Sequence, residues 1–370
     1  MATNEAPPRV HVKGAGRKKE SPYQRWLRDE GVPSLKGSYV ADLHVAEVHP
    51  WPRIGQKGAI INLADQELDD CWLIEIAPAG KTEPLHHAFE AGIYVLEGRG
   101  GAEFWQANSK KRQAIEWGPG SLFAPPLNCH YQLYNADGKN PARLFMCTNA
   151  PTIINLYRDP DFAFNNPYVF TDRYNAEDDY FLDHGARSSA GNFWETNFVP
   201  NLHTFRRDEY LLDPTRGGDS AGLNFMLSGN SMFAGNTVMP IGTYKKAHRH
   251  GVGAHLLILE GQGNSLMWFE GQEAEPTRVD WTHGTLISPR YLEYHQHFNT
   301  GATPAMYFKF RLAGLDPHHG EWARHTASGD LAEENAGIPY EREAPRIYEA
   351  FVEECRRNGA TVMLPKPHYV

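Results

Sequence analysis

Five histidines in two short stretches carry the chemistry that stands out in this chain. KKAHRHGVGAH at 245–255 holds His248, His250 and His255, and HQH at 295–297 holds His295 and His297. Both HxH pairs are spaced by two, so on a β-strand the two imidazoles of a pair point to one face. If a barrel turns both faces inward, His248, His250 and His295 meet, with His297 beside them. Three neutral imidazoles hold a divalent metal and leave positions open for water, substrate or oxygen; iron, nickel, manganese and zinc all accept such ligands. His255 faces away from Ala254 on a regular strand and joins the set only through a bulge. Lys245 and Lys246 fall near the expected entrance, outside the ligand set. A lone HxH is ordinarily a pair of hydrogen-bonded core or surface residues; here two of them sit within one repeated unit.

The elements that must position these histidines are written twice. YVLEGRGGAEFW at 94–105 is followed by IEWGPGSLFAPP at 115–126 and HYQLYN at 130–135; LILEGQGNSLMW at 257–268 is followed by VDWTHGTLISPR at 279–290 and HQHFN at 295–299. Gly98 and Gly261, Trp117 and Trp281, and His130 and His295 recur at spacings of 163, 164 and 165 residues. Both copies consist of short β-branched and aromatic runs broken by Gly, Pro or Asp, the signature of antiparallel strands and tight turns. The prediction is an all-β chain of two tandem barrels with peripheral helices. Residues 1–57 are read as an arm and a short helix, 58–150 as a first, degenerate barrel, and 151–220 as a packed connector. Residues 221–312 form the second, metal-binding barrel, and 313–370 a helical extension. Ser21 and Pro22 start the first helix; the terminal helix begins near Pro345, ends before Gly359, and buries Tyr348, Phe351, Val352 and Cys355.

Composition narrows the function classes. The net charge of -9, with no long basic stripe, argues against a nucleic-acid partner. No apolar run approaches the length of a membrane span. The opening MATNEAPPRVHVKGAGRKKE lacks the apolar centre of a secretory signal, and Cys71, Cys129, Cys147 and Cys355 form neither a metal-binding pair nor a disulfide framework. Reduced, buried thiols and a cytoplasmic protein are the expectation. GAGRKKE at 14–20 and GVGAH at 251–255 lack the strand–helix context of nucleotide loops.

The motifs resemble those of the cupin superfamily, and the duplication resembles a bicupin. Gly242, His248, His250 and Gly261 match the first cupin motif, and Gly284, Pro289, His295 and Asn299 the second, with one extra residue between Pro289 and His295. Where the family places a carboxylate ligand, this chain has Ala254. That resembles the three-histidine variant of gentisate-type ring-cleaving dioxygenases. The resemblance implies Fe(II) on His248, His250 and His295, and as substrates O2 and a small hydroxylated aromatic acid of aromatic catabolism. A nonoxidative Mn(II) hydrolase or isomerase and a metal-dependent binding protein are the alternatives, and a homo-oligomer is expected. The first repeat departs further. Gly80, His86, His87, Glu90 and Gly98 follow the motif loosely; aligning the LEG turns sets His87 against His250, Leu85 against His248 and Ala91 at the carboxylate position. His87, Glu90 and His130 make a second metal site only if the strand bulges, so a scaffold role is expected.

Around the triad, Arg290 is a candidate for holding a substrate carboxylate. Tyr291 and Tyr294 are candidates for packing an aromatic ring, with Arg290 and Tyr294 also counted as catalytic. Arg311, at the end of YFKFR, reaches the pocket only if Phe308 and Phe310 face away. His297 is the candidate for proton transfer.

Overall fold

The computed structural model describes residues 20–65, 67–182, 185–188, 193–250, 254–312 and 337–370. The expected arm at 1–19 and the 313–336 part of the expected helical extension lie outside the described residues. The first barrel is built from β1 (Gln56–Ile61), β2 (Asp70–Ile76), β3 (Ala91–Glu97), β4 (Gly100–Trp105), β5 (Gln113–Trp117), β6 (His130–Asn135) and β7 (Ala142–Thr148). The second uses β8 (Ala221–Leu227), β9 (Met232–Met239), β10 (Ala254–Glu260), β11 (Gly263–Trp268), β12 (Thr277–Trp281), β13 (Tyr294–Asn299) and β14 (Ala305–Leu312). Among the described residues, three helices of eight residues or more, α1 (Pro22–Glu30), α2 (Ala150–Tyr157) and α3 (Pro345–Arg357), lie outside the sheets. The expected all-β architecture of two tandem barrels with peripheral helices holds.

Both barrels share one topology. In the first, β1–β2–β7–β3 form one antiparallel face and β6–β4–β5 the other. In the second, β8–β9–β14–β10 and β13–β11–β12 repeat that order. The matching extends to single residues. Gly100 pairs with Trp117 and Asn135, and Gly263 with Trp281 and Asn299. A Cβ on Gly100 would meet the Tyr134 carbonyl oxygen at 1.8 Å and the Trp117 ring at 2.7 Å; on Gly263 it would meet the Phe298 oxygen at 1.9 Å and the Trp281 ring at 2.6 Å. Only glycine fits under either indole. Asn135 donates to the carbonyls of Ile76, Ala77 and Asn140, and Asn299 to those of Met239, Pro240 and Thr303, so each amide locks one barrel corner.

This register corrects one sequence match. His130 pairs with Trp105, and Tyr294 pairs with Trp268, so His130 corresponds to Tyr294 and Tyr131 to His295. Period-two alternation makes the one-residue slip decisive, because it moves a side chain to the other face of the sheet.

The barrels are laced together. Tyr39–Val40 pairs with Leu286–Ile287 of the second barrel, and Phe198–Val199 pairs with Leu122–Phe123 of the first. Between them lies a shared apolar core that includes Leu73, Tyr94, Phe145, Leu257, Phe308 and Phe310. α1 is capped by the Ser21 hydroxyl, ends at a left-handed Gly31, and buries Tyr23, Trp26 and Leu27 on the first barrel. α3 places Phe351 and Cys355 against Tyr244 and Phe298 of the second. No described helix is long and apolar enough to cross a membrane.

Candidate metal centre

Two backbone segments bring the imidazoles together. His248 exchanges backbone hydrogen bonds with His295, 3.0 and 2.8 Å long, at an isolated antiparallel bridge. His250 lies two residues on, and β13 points His295 and His297 to the same interior. One nitrogen from each of His248, His250 and His295 lies within 4.8 Å of the others, and all three residues are buried. Nδ1 of His248 is 2.9 Å from the Lys246 carbonyl, and Nδ1 of His295 is 3.0 Å from the Glu293 carbonyl. A carbonyl only accepts, so each Nδ1 carries the proton and each Nε2 presents a lone pair. Burial, then the field of Arg216 and the other rings, holds His248 well below the ordinary imidazole range. Burial likewise lowers His295 to about 3, with Arg216, Arg311 and Lys245 adding to the effect. These rings are therefore neutral at ordinary pH, the state that a metal requires. The donor set fits a divalent ion.

Strand alternation decides who else reaches this interior. On β14, Met306, Phe308 and Phe310 pack into the shared core between the barrels, so Tyr307, Lys309 and Arg311 point inward. The condition set for Arg311 is thus met, and its strand partner on β10 is Ala254, the position that lacks a carboxylate. His297 stands beside His295, ring centroids 5.5 Å apart, with its Nδ1 2.7 Å from Ser265 Oγ. Ser265 Oγ also accepts from the Trp281 indole at 3.1 Å. Lys245 donates to the Tyr307 hydroxyl at 2.8 Å, bridging the two faces of the barrel.

Other candidates lie elsewhere. Tyr294 alternates with His295 and so turns outward, stacked on Trp268 with centroids 5.8 Å apart and Arg249 over its ring. Tyr291 is 64% exposed. Arg290 lies 3.8 Å from Asp65 at the rim. None of these three side chains is brought to the imidazole cluster. His255 faces the inter-barrel contact, with Nδ1 2.7 Å from Ser288 Oγ and Nε2 3.4 Å from Asp69; β10 keeps its alternation there.

In the first barrel the corresponding positions are Leu85, His87 and Tyr131. Leu85 bridges Tyr131 as His248 bridges His295, and His87 Nε2 is spent on the Tyr131 hydroxyl at 3.0 Å. His130 turns to the opposite face, stacked on His86 with centroids 4.3 Å apart. Glu90 reaches across to the second barrel, accepting from Ser231 N, Ser231 Oγ and Met232 N at 2.7–2.9 Å, with Arg173 at 3.3 Å. His87, Glu90 and His130 therefore do not converge.

Sequence reading missed Lys245, Lys309, Tyr307 and Arg216 as interior groups. The signal was present for two of them: in YFKFR the outward Phe308 and Phe310 that release Arg311 also turn Tyr307 and Lys309 inward.

The molecule is therefore a duplicated all-β double barrel with, among the described residues, one buried cluster of three imidazoles. No family model and no curated protein matches the chain. Among solved structures it is similar to an oxalate decarboxylase of Bacillus subtilis, with 10% identity over 75% of this chain and 78% of that one and a TM-score of 0.48. Another structure of that enzyme, described by its Mn(II) centres, covers 81% and 85% of the two chains at 12% identity and a TM-score of 0.48. Vicilin of hazelnut, Corylus avellana, matches at 9% identity over 74% and 85% with a TM-score of 0.46. At such scores these likenesses carry no argument about what this chain binds.

Proposed function

We propose that the second barrel is the active site of a divalent-metal enzyme acting on a small carboxylate-bearing substrate. The carrying observation is the set of three buried imidazoles of His248, His250 and His295, one nitrogen of each within 4.8 Å of the others. These three would hold the ion, which when bound supplies Lewis-acid polarisation of a substrate oxygen. The remaining work falls to the chain's own groups. Arg311, beside Ala254, is placed to pair with the substrate carboxylate. The Ser265 hydroxyl, which accepts from Trp281, is hydrogen-bonded to His297 Nδ1 and orients that ring beside His295 for proton transfer. Val279, Trp281, Leu256 and Ile258 form the apolar wall that keeps bulk water away.

Nonoxidative Mn(II) chemistry, a hydrolase or isomerase, is the reading favoured, because the tyrosines expected to sandwich an aromatic ring point away from the cluster. The second reading, an Fe(II) dioxygenase cleaving a hydroxylated aromatic acid with O2, draws on Ala254: three neutral ligands leave the charge of the ion less offset than a set including a carboxylate. The protein loaded separately with Mn(II) and Fe(II) is offered carboxylate substrates with and without O2. Turnover with Mn(II) under anaerobic conditions is expected. Turnover that needs Fe(II) and consumes O2 would transfer the assignment to the second reading, and failure to retain any ion would remove both.

A further inference from the structure

The inward row of β14 continues beyond Arg311. Lys309 faces the same interior, with its aliphatic chain lying over Gly235, where a Cβ would meet Lys309 Cε at 2.7 Å. Lys245 enters from the segment before the HxH pair and is 4% exposed; its ammonium reaches Tyr307, whose ring lies 5.8 Å from that of His297. Arg216 is tied to the same segment through its carbonyl, which accepts from Lys246 N at 2.8 Å. Three segments distant in sequence thus deliver cations beside the triad, Lys245 and Arg311 buried and Lys309 and Arg216 partly buried. Among the described residues the acid coupled to Lys245, Lys309 and Arg216 is Asp213. Gathering like charges out of water is costly unless a counter-charge joins them. The strain is visible at Lys309, whose amine is lowered to about 7 by burial and then by Lys245 and Arg311.

We infer that the second barrel holds two anion subsites and takes a short dicarboxylate, one carboxylate at the triad and Arg311, the other at Lys309 and Lys245. This rests on the metal-enzyme reading above for the first subsite and stands on its own for the second. Residues two apart on one strand project side chains about 7 Å apart, a span that suits a short diacid better than a long one.

Succinate and butyrate, of equal chain length, separate the two subsites. Titrated calorimetrically into the Mn(II)-loaded protein, succinate is expected to bind about tenfold tighter than butyrate, or more, from one added charge-assisted contact. Lys309→Met is expected to abolish that preference while leaving metal content and butyrate affinity unchanged; Lys309→Arg, which keeps the charge, should retain it, and circular dichroism shows whether each variant folds. At pH 8, succinate binding should take up protons as the amine of Lys309 is restored to its charged form, seen as a dependence of heat on buffer ionisation. Equal affinities for succinate and butyrate in a metal-loaded protein would overturn the second subsite and leave the metal reading intact. A succinate preference in a protein whose metal content is unchanged by His248→Ala would do the reverse.

Discussion

His250 and His87 occupy the same place in two copies of one barrel, yet the first belongs to an imidazole cluster and the second is bonded to a phenol. The difference comes from two neighbours. Where the second barrel has His248 and His295, the first has Leu85 and Tyr131, and each pair is joined by the same backbone bridge. The backbone that gathers the three imidazoles is therefore present in both copies; the side chains at two positions separate an imidazole cluster from a single histidine bonded to a phenol. Phe89 stacks on His87 at 3.9 Å and the buried Tyr131 stands where the second barrel has His295. The comparison also shows where Glu90 went: in the first barrel the carboxylate nearest the motif serves the contact between barrels.

Ligand removal should produce the largest contrast. His248→Ala or His295→Ala is expected to weaken metal binding on the order of 100-fold or more, whereas His87→Ala leaves metal content unchanged, as read by elemental analysis after dialysis. Converting Leu85 and Tyr131 together to histidine should raise the stoichiometry by one ion per chain; no gain in a folded double variant would show that the shared backbone does not suffice.

The clamp between the barrels comes next. Glu90→Gln replaces a buried carboxylate that accepts from two backbone amides and a hydroxyl beside Arg173. It should cost about 3–5 kcal/mol, since it strands donors and removes the carboxylate charge beside Arg173. Chemical denaturation measures it, and a loss below 1 kcal/mol would show that the shared apolar core alone holds the two barrels.

The smallest effect concerns a buried acid peculiar to the first barrel. Burial raises Asp70 to about 6 despite hydrogen bonds from Thr148, Tyr23 and Trp72. A carboxyl with a raised folded-state pKa binds its proton more tightly in the native protein. Its contribution is complete below pH 4 and is lost as pH rises through 6, by no more than about 3 kcal/mol. Stability measured between pH 4 and 7 should show this decline, and Asp70→Asn should flatten it.

The sequence by itself determined the duplication, the all-β class and the two HxH faces, because glycine under an indole, an asparagine at a corner and period-two alternation are local requirements. It also showed through the LEG turns that His87 stands for His250 while Leu85 stands for His248. Tertiary structure decided the rest. A match of His130 to His295 is one residue from the true register, and a one-residue error reverses the face. Tyr294 and Arg290 sit close to His295 in sequence but away from the cluster in space, while Arg216 and Lys309 come from distant segments. Which side chains share an interior depends on closure of the sheet, which joins strands far apart in the chain and which no local pattern encodes.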